Sequence, residues 1–221
     1  MGEFITLTSA DGHRLPAWHA GHDGPGLVVI QEIFGVNNHI RHTADRFAAE
    51  GFNVLAPALF DRVAPGTELG YSEADVAKGR EIRAKVALED ALHDIAAAVG
   101  ALKSEGRPVG VVGYCWGGSL AWAAATRLEG IGAAVGYYGG EVAKMADERP
   151  RCPAMLHFGE KDHAIPMSDV ETVRKKHPDL PVYTYPAGHG FSCDERGSFD
   201  PESHAMALSR TLPFLREHLG G

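Results

Sequence analysis

Short apolar runs rich in Val, Ile and aromatic residues recur along the chain. They lie at Phe4–Thr8, Leu15–His19, Leu27–Gln31, Asn53–Ala56, Val109–Gly113, Ala133–Tyr138, Ala154–Phe158 and Val182–Tyr185. Each has the length and composition of a β-strand. Between the first two stands Ala10-Asp11-Gly12, a hairpin turn signal, so these strands should pair antiparallel. Most later runs are separated by helix-length segments, which implies crossovers to parallel neighbours. The pattern predicts an α/β protein with a mostly parallel eight-stranded sheet, an antiparallel edge and helices on both faces.

Helical periodicity is clearest where Leu88, Leu92, Ile95, Val99 and Leu102 fall on one face of a segment that ends near Gly106-Arg107-Pro108. Leu208, Leu212, Leu215 and Leu219 repeat this spacing near the C-terminus. Further helices are expected over Ile40–Glu50, Gly117–Arg127 and Asp169–Lys176. Such stripes are what any helix needs to cover a sheet, so they locate the fold and not the chemistry.

With 221 residues, 44% of them hydrophobic, the chain can bury one large core, and a single domain over 1–221 is expected. The formal charge of −8 is spread without runs of either sign, which argues against nucleic-acid or anionic-membrane partners. The N-terminus lacks a basic segment followed by an apolar stretch, and no apolar run approaches the roughly 20 residues of a bilayer span. A cytoplasmic protein acting on a small molecule follows as the expectation, as a monomer or small homo-oligomer. Three cysteines without C-x-x-C spacing speak against both a disulfide framework and a structural zinc site.

Chemistry enters at Gly113-Tyr114-Cys115-Trp116-Gly117, directly after the buried run Val109–Gly113. A strand, a sharp turn and a small-residue helix start resemble the nucleophile elbow of α/β-hydrolases, in which flanking glycines let the backbone turn without clashing with the adjacent strand and helix. Cys115 is thereby exposed at a helix N-terminus, where a thiolate is favoured. A cysteine nucleophile needs a base, and the base an orienting acid. In this fold they follow in the order nucleophile, acid, histidine, each just after a strand. Asp162 follows the run ending at Phe158, and His189 follows the run ending at Tyr185. Glu160 and His163 are their nearest rivals.

Gln31-Glu32-Ile33-Phe34-Gly35 directly follows the strand Leu27–Ile30. This loop should supply one oxyanion donor, the Ile33 backbone N–H, while the Trp116 N–H supplies the other. Glu32, if beside the thiol, would hold the resting Cys115 protonated. The alternative is a capping or surface glutamate.

Together with Ala64-Pro65-Gly66, Gly136-Tyr137-Tyr138-Gly139 and Gly188-His189-Gly190-Phe191, these motifs make nearly the whole chain similar to the dienelactone hydrolase family, the carboxymethylenebutenolidases. The resemblance implies a Cys115-His189-Asp162 triad with Glu32 as auxiliary, and hydrolysis of an unsaturated lactone bearing a carboxylate, as in aromatic compound degradation. It implies no metal or organic cofactor. It also implies arginines that grip the substrate carboxylate, for which Arg80 or Arg83 and Arg196 are the candidates, bidentate carboxylate recognition being what a guanidinium does best. Tyr138 is a candidate hydroxyl donor to the substrate, or else a packed aromatic at a strand end. Cys152 should fill space beside Pro153. Cys193 lies near His189 in sequence, but two ligands without a third do not make a zinc site. Two rival functions remain: a broad carboxylesterase or thioesterase with the same triad, and a retired hydrolase fold that only binds a ligand.

Overall fold

The computed structural model describes residues 2–103 and 108–220. The strands are β1 Glu3–Thr8, β2 Arg14–Ala20, β3 Gly26–Ile30, β4 Asn53–Pro57, β5 Val109–Tyr114, β6 Ile131–Tyr137, β7 Ala154–Gly159 and β8 Val182–Tyr185. They form one eight-stranded sheet in the order β1-β2-β4-β3-β5-β6-β7-β8. β1 and β2 pair antiparallel, as do β2 and β4, and all later neighbours are parallel. The first hairpin turns through Gly12 at φ 88, a conformation that glycine adopts without steric cost.

The helices are α1 Asn38–Ala49, α2 Glu73–Arg83, α3 Leu88–Leu102, α4 Trp116–Arg127, α5 Met167–Lys176 and α6 Pro201–Leu219. α3 and α4 pack on one face of the sheet, α1 and α6 on the other. The central strands separate two cores accordingly. Leu27 and Val29 of β3 face the α1/α6 core, whereas Val28 and Ile30 face the α3/α4 core, and all four are fully buried. Side chains alternate across a pleated strand, so a strand covered on both faces must be apolar throughout.

The helix α3 ends at Leu102 with Lys103 as cap. Of the stop expected near Gly106-Arg107-Pro108, Gly106 and Arg107 lie outside the described residues. The C-terminal helix begins before its apolar stripe, at Pro201, where the Asp200 side chain accepts from Ser203 N–H. The helix α2 is additional to those the periodicity predicts. Only Gly79 and Ile82 are buried in it, too few to mark a stripe. Its sequence signal is a capping box between Ser72 and Asp75, in which each side chain satisfies a backbone N–H of the other. Among the described residues, no helix is long and apolar enough to cross a membrane.

Candidate active site

All the candidate residues gather at the C-terminal edge of the parallel strands, where loops from successive strands meet. Cys115 is the link between β5 and α4, with φ 56 and ψ −118. A non-glycine residue at this φ is strained, and the surrounding packing has to hold it there. Its N–H donates to Tyr137 O at 3.0 Å. The neighbouring glycines explain how: a Cβ on Gly113 would stand 1.9 Å from Gly117 O, and one on Gly117 would stand 2.4 Å from Ile30 O and 2.5 Å from Gln31 O. The start of α4 therefore rests directly on the backbone that leaves β3. That contact sets the loop carrying Glu32 and Ile33 beside Cys115. Gln31 steadies the same loop, accepting from Leu59 N–H at 3.0 Å and donating to Glu32 O at 3.2 Å.

His189 Nε2 lies 3.1 Å from Cys115 Sγ, and His189 Nδ1 lies 2.7 Å from Asp162 Oδ2. The other Asp162 oxygen accepts from Ala164 N–H at 2.8 Å. Asp162 is buried, whereas the rivals Glu160 and His163 are exposed. Burial works against protonation of His189. The hydrogen bonds with Asp162 and Cys115 outweigh it and raise the imidazole to about 10.

Cys115 and His189 open into a cavity of about 470 Å³. Ile33 and Trp116 line it, and so do Arg80, Arg83 and Arg196. The three arginines come from distant points of the chain, two on α2 and one after β8. Their electrostatic states differ. Arg83 donates to Glu141, and Arg196 donates to Glu32 Oε1 at 3.2 Å, while Arg80 has no ion-pair partner among the described residues. Arg196 also lies over the rings of Phe34 and Tyr71, 5.6 and 5.8 Å from their centroids.

Three expectations are modified. Glu32 is buried, but the hydrogen bond it accepts comes from Arg196 and not from Cys115. Tyr138 leaves β6 at φ 38 and is fully buried behind the cavity, its ring 5.2 Å from that of His189 and its hydroxyl without a partner among the described residues. The packed-aromatic alternative describes it better than a hydroxyl reaching substrate. Cys193 groups with Glu32 and His39, not with its sequence neighbour His189. Its thiol is raised to about 12, first by burial and then by the Glu32 carboxylate. Cys152 packs at the edge of the α3/α4 core, as expected of a space-filling residue.

Glu141 is the site residue that sequence reasoning missed. It lines the cavity, pairs with Arg83, and its N–H donates to Ser119 Oγ at 3.0 Å. Its only sequence signal was position, just after β6 on the sheet edge that also carries Cys115.

The profile of the dienelactone hydrolase family matches residues 14–219. Carboxymethylenebutenolidase 1 of Cupriavidus pinatubonensis is 32% identical over 97% of this chain and 97% of its own. The carboxymethylenebutenolidase of Pseudomonas putida is 33% identical over 97% and 96%. Among solved structures, a Klebsiella pneumoniae protein provisionally named a dienelactone hydrolase superposes with a TM-score of 0.86 at 29% identity, covering 98% of both chains. An esterase of Pyrococcus furiosus shares the fold at a TM-score of 0.72 and 15% identity. The architecture is that of α/β-hydrolases.

Proposed function

The chain belongs to the dienelactone hydrolase family, a family of ester and lactone hydrolases, and from that premise we propose that it opens an unsaturated lactone bearing a carboxylate, with Cys115 as nucleophile, His189 as base and Asp162 as the group that orients the base. One observation carries the reading: a thiol, an imidazole and a buried carboxylate in hydrogen-bond succession, at 3.1 and 2.7 Å, facing a cavity that three arginines line.

In the proposed reaction the Cys115 proton rests on His189, whose raised imidazole retains it at neutral pH, and the thiolate attacks the lactone carbonyl. The Ile33 and Trp116 N–H groups hold the oxyanion. Collapse breaks the ring C–O bond, His189 returns the proton to the departing enol oxygen, and a thioester remains. Water then gives a proton to His189 and attacks the thioester. The C–S bond breaks, the Cys115 thiolate is restored beside protonated His189 and the ring-opened acid leaves. Asp162 fixes the imidazole tautomer throughout, and Arg80, with Arg83 or Arg196, holds the substrate carboxylate. Glu32 acts through Arg196, whose guanidinium it anchors at the cavity wall. The substrate class fits a place in the breakdown of aromatic compounds.

A second reading is a broad carboxylesterase or thioesterase with the same triad. What favours it is that Arg83 and Arg196 already hold carboxylates of the protein, Glu141 and Glu32. Steady-state hydrolysis of a dienelactone acid, of its neutral methyl ester and of a simple aryl acetate separates the two. Strong preference for the acid supports the lactone reading; equal or better rates on neutral esters move the function to the esterase. Cys115→Ala should abolish turnover of all three with the fold intact, and retained turnover would sink both readings.

A further inference from the structure

Behind Arg196, three side chains converge: Glu32 in the loop after β3, His39 in the first turn of α1 that this loop enters, and Cys193 from the distant segment after β8. All three are buried, and one ligand-capable atom of each lies within 4.8 Å of those of the other two. Glu32 Oε2 and His39 Nε2 have no hydrogen-bond partner among the described residues. Buried polar atoms are seldom left in this condition. His39 Nδ1 lies 3.2 Å from Asp194 Oδ1, a contact that puts the ring proton on Nδ1 and leaves Nε2 a bare lone pair. A carboxylate behind a histidine in this way is the arrangement that aims an imidazole at a metal ion. Thiolate, imidazole and carboxylate together suit Zn²⁺ and similar borderline ions, whereas Ca²⁺ and Mg²⁺ take all-oxygen sites.

We propose that Glu32, His39 and Cys193 bind one Zn²⁺-class transition-metal ion, with a fourth position left for water. On binding, Cys193 loses its S–H proton to solvent as the metal–sulfur bond forms. Glu32 Oε2 and His39 Nε2 contribute lone pairs, and nothing is oxidised or reduced. Ligand atoms around a tetrahedral zinc stand roughly 3.5 Å apart, so the trio, within 4.8 Å, has to draw together by about 1 Å on binding. Arg196 lines the catalytic cavity and donates to Glu32, so the metal site adjoins the cavity wall. Glu32 is thereby shared between the ion and Arg196, which couples the metal site to the cavity wall. The proposal does not depend on Cys115 being the nucleophile. It also explains why sequence spacing gave no metal motif: no two of the three residues lie on the same helix or loop.

The test is titration of chelator-treated full-length protein with Co²⁺, which reports a cysteine ligand by thiolate-to-cobalt charge-transfer absorption. We expect one Co²⁺ per chain with that absorption, its displacement by one equivalent of Zn²⁺, and the same behaviour in Cys115→Ser. Cys193→Ser should lose the absorption, and His39→Gln should bind about a hundredfold more weakly or worse, with metal-free melting curves checking that both variants fold. Absence of the charge-transfer absorption in the parent protein at saturating Co²⁺ overturns the proposal. So does absorption that survives in Cys193→Ser but vanishes in Cys115→Ser. Should Cys193→Ser fail to fold, undiminished Co²⁺ affinity in His39→Gln is sufficient to overturn it.

Discussion

Arg83 donates to Glu141 across one wall of the cavity that holds Cys115, so a carboxylate of the protein occupies a cation that an acidic substrate would otherwise engage. Both side chains are about one-third exposed, at 36% and 37%, and a pair so open to solvent is held by roughly 1 kcal/mol or less. Glu141→Gln should therefore release Arg83 and lower KM for a carboxylate-bearing lactone by about threefold to fivefold. Rates on the neutral methyl ester should stay where they are. Steady-state kinetics on the two substrates checks this, and an unchanged KM for the acid would show that Arg83 does not meet the substrate carboxylate.

Asp162 has one oxygen on His189 Nδ1 and the other on Ala164 N–H. Asp162→Asn keeps the shape but presents an amide donor where an acceptor is needed, which favours the wrong imidazole tautomer. By analogy with serine-histidine-aspartate enzymes, kcat should fall by about 10³–10⁴ with little change in KM. A variant that keeps more than about a tenth of kcat would remove Asp162 from the orienting role.

Gly117→Ala should damage the fold as well as the site. Its added Cβ would press on two backbone oxygens, Ile30 O and Gln31 O, neither of which can rotate away. A loss of about 3 kcal/mol is expected from urea unfolding midpoints, in line with forced overpacking. Hydrolysis should be lost too, since the same contact seats the Glu32 and Ile33 loop beside Cys115.

His157 lies fully buried between β6 and β8, hydrogen-bonded through Nδ1 to Tyr185 Oη and through Nε2 to Thr211 Oγ1. Burial lowers its pKa from 6.5 to about 3. Between those values the unfolded chain binds the proton and the folded one does not, so stability falls as pH drops through this window and is unaffected above it. Melting temperatures from pH 7 to pH 3 should decline more steeply for the parent than for His157→Gln. The variant should already be about 2 kcal/mol less stable at pH 7 from lost packing and hydrogen bonds. Parallel declines would assign the acid sensitivity to other groups.

The sequence alone determined whatever is encoded over a few consecutive residues. A buried strand must be apolar on both faces, which made β3 and β5 legible. A strained strand-to-helix turn needs small neighbours, which made the turn at Gly113, Cys115 and Gly117 legible. Asp162 and His189 followed because loops after parallel strands necessarily emerge on one edge of the sheet. Legibility failed where stability is not a stripe of side chains. The helix α2 is held by its Ser72 cap and by the close approach of Gly79 to Ile33 O, so its polar sequence resembles a loop. Tertiary structure alone chose the partners: Arg196 with Glu32, Arg83 with Glu141, and Glu32 with His39 and Cys193. Arg196, with Cys193 close by it in sequence, stands 164 residues from Glu32, and Glu141 stands 58 from Arg83. Glu32 and His39, though near in sequence, meet only through the way the loop after β3 enters α1. Charges and lone pairs say only that each residue needs a partner. Which partner is available depends on how the helices seat on the sheet, a property of the packed core that no local spacing records.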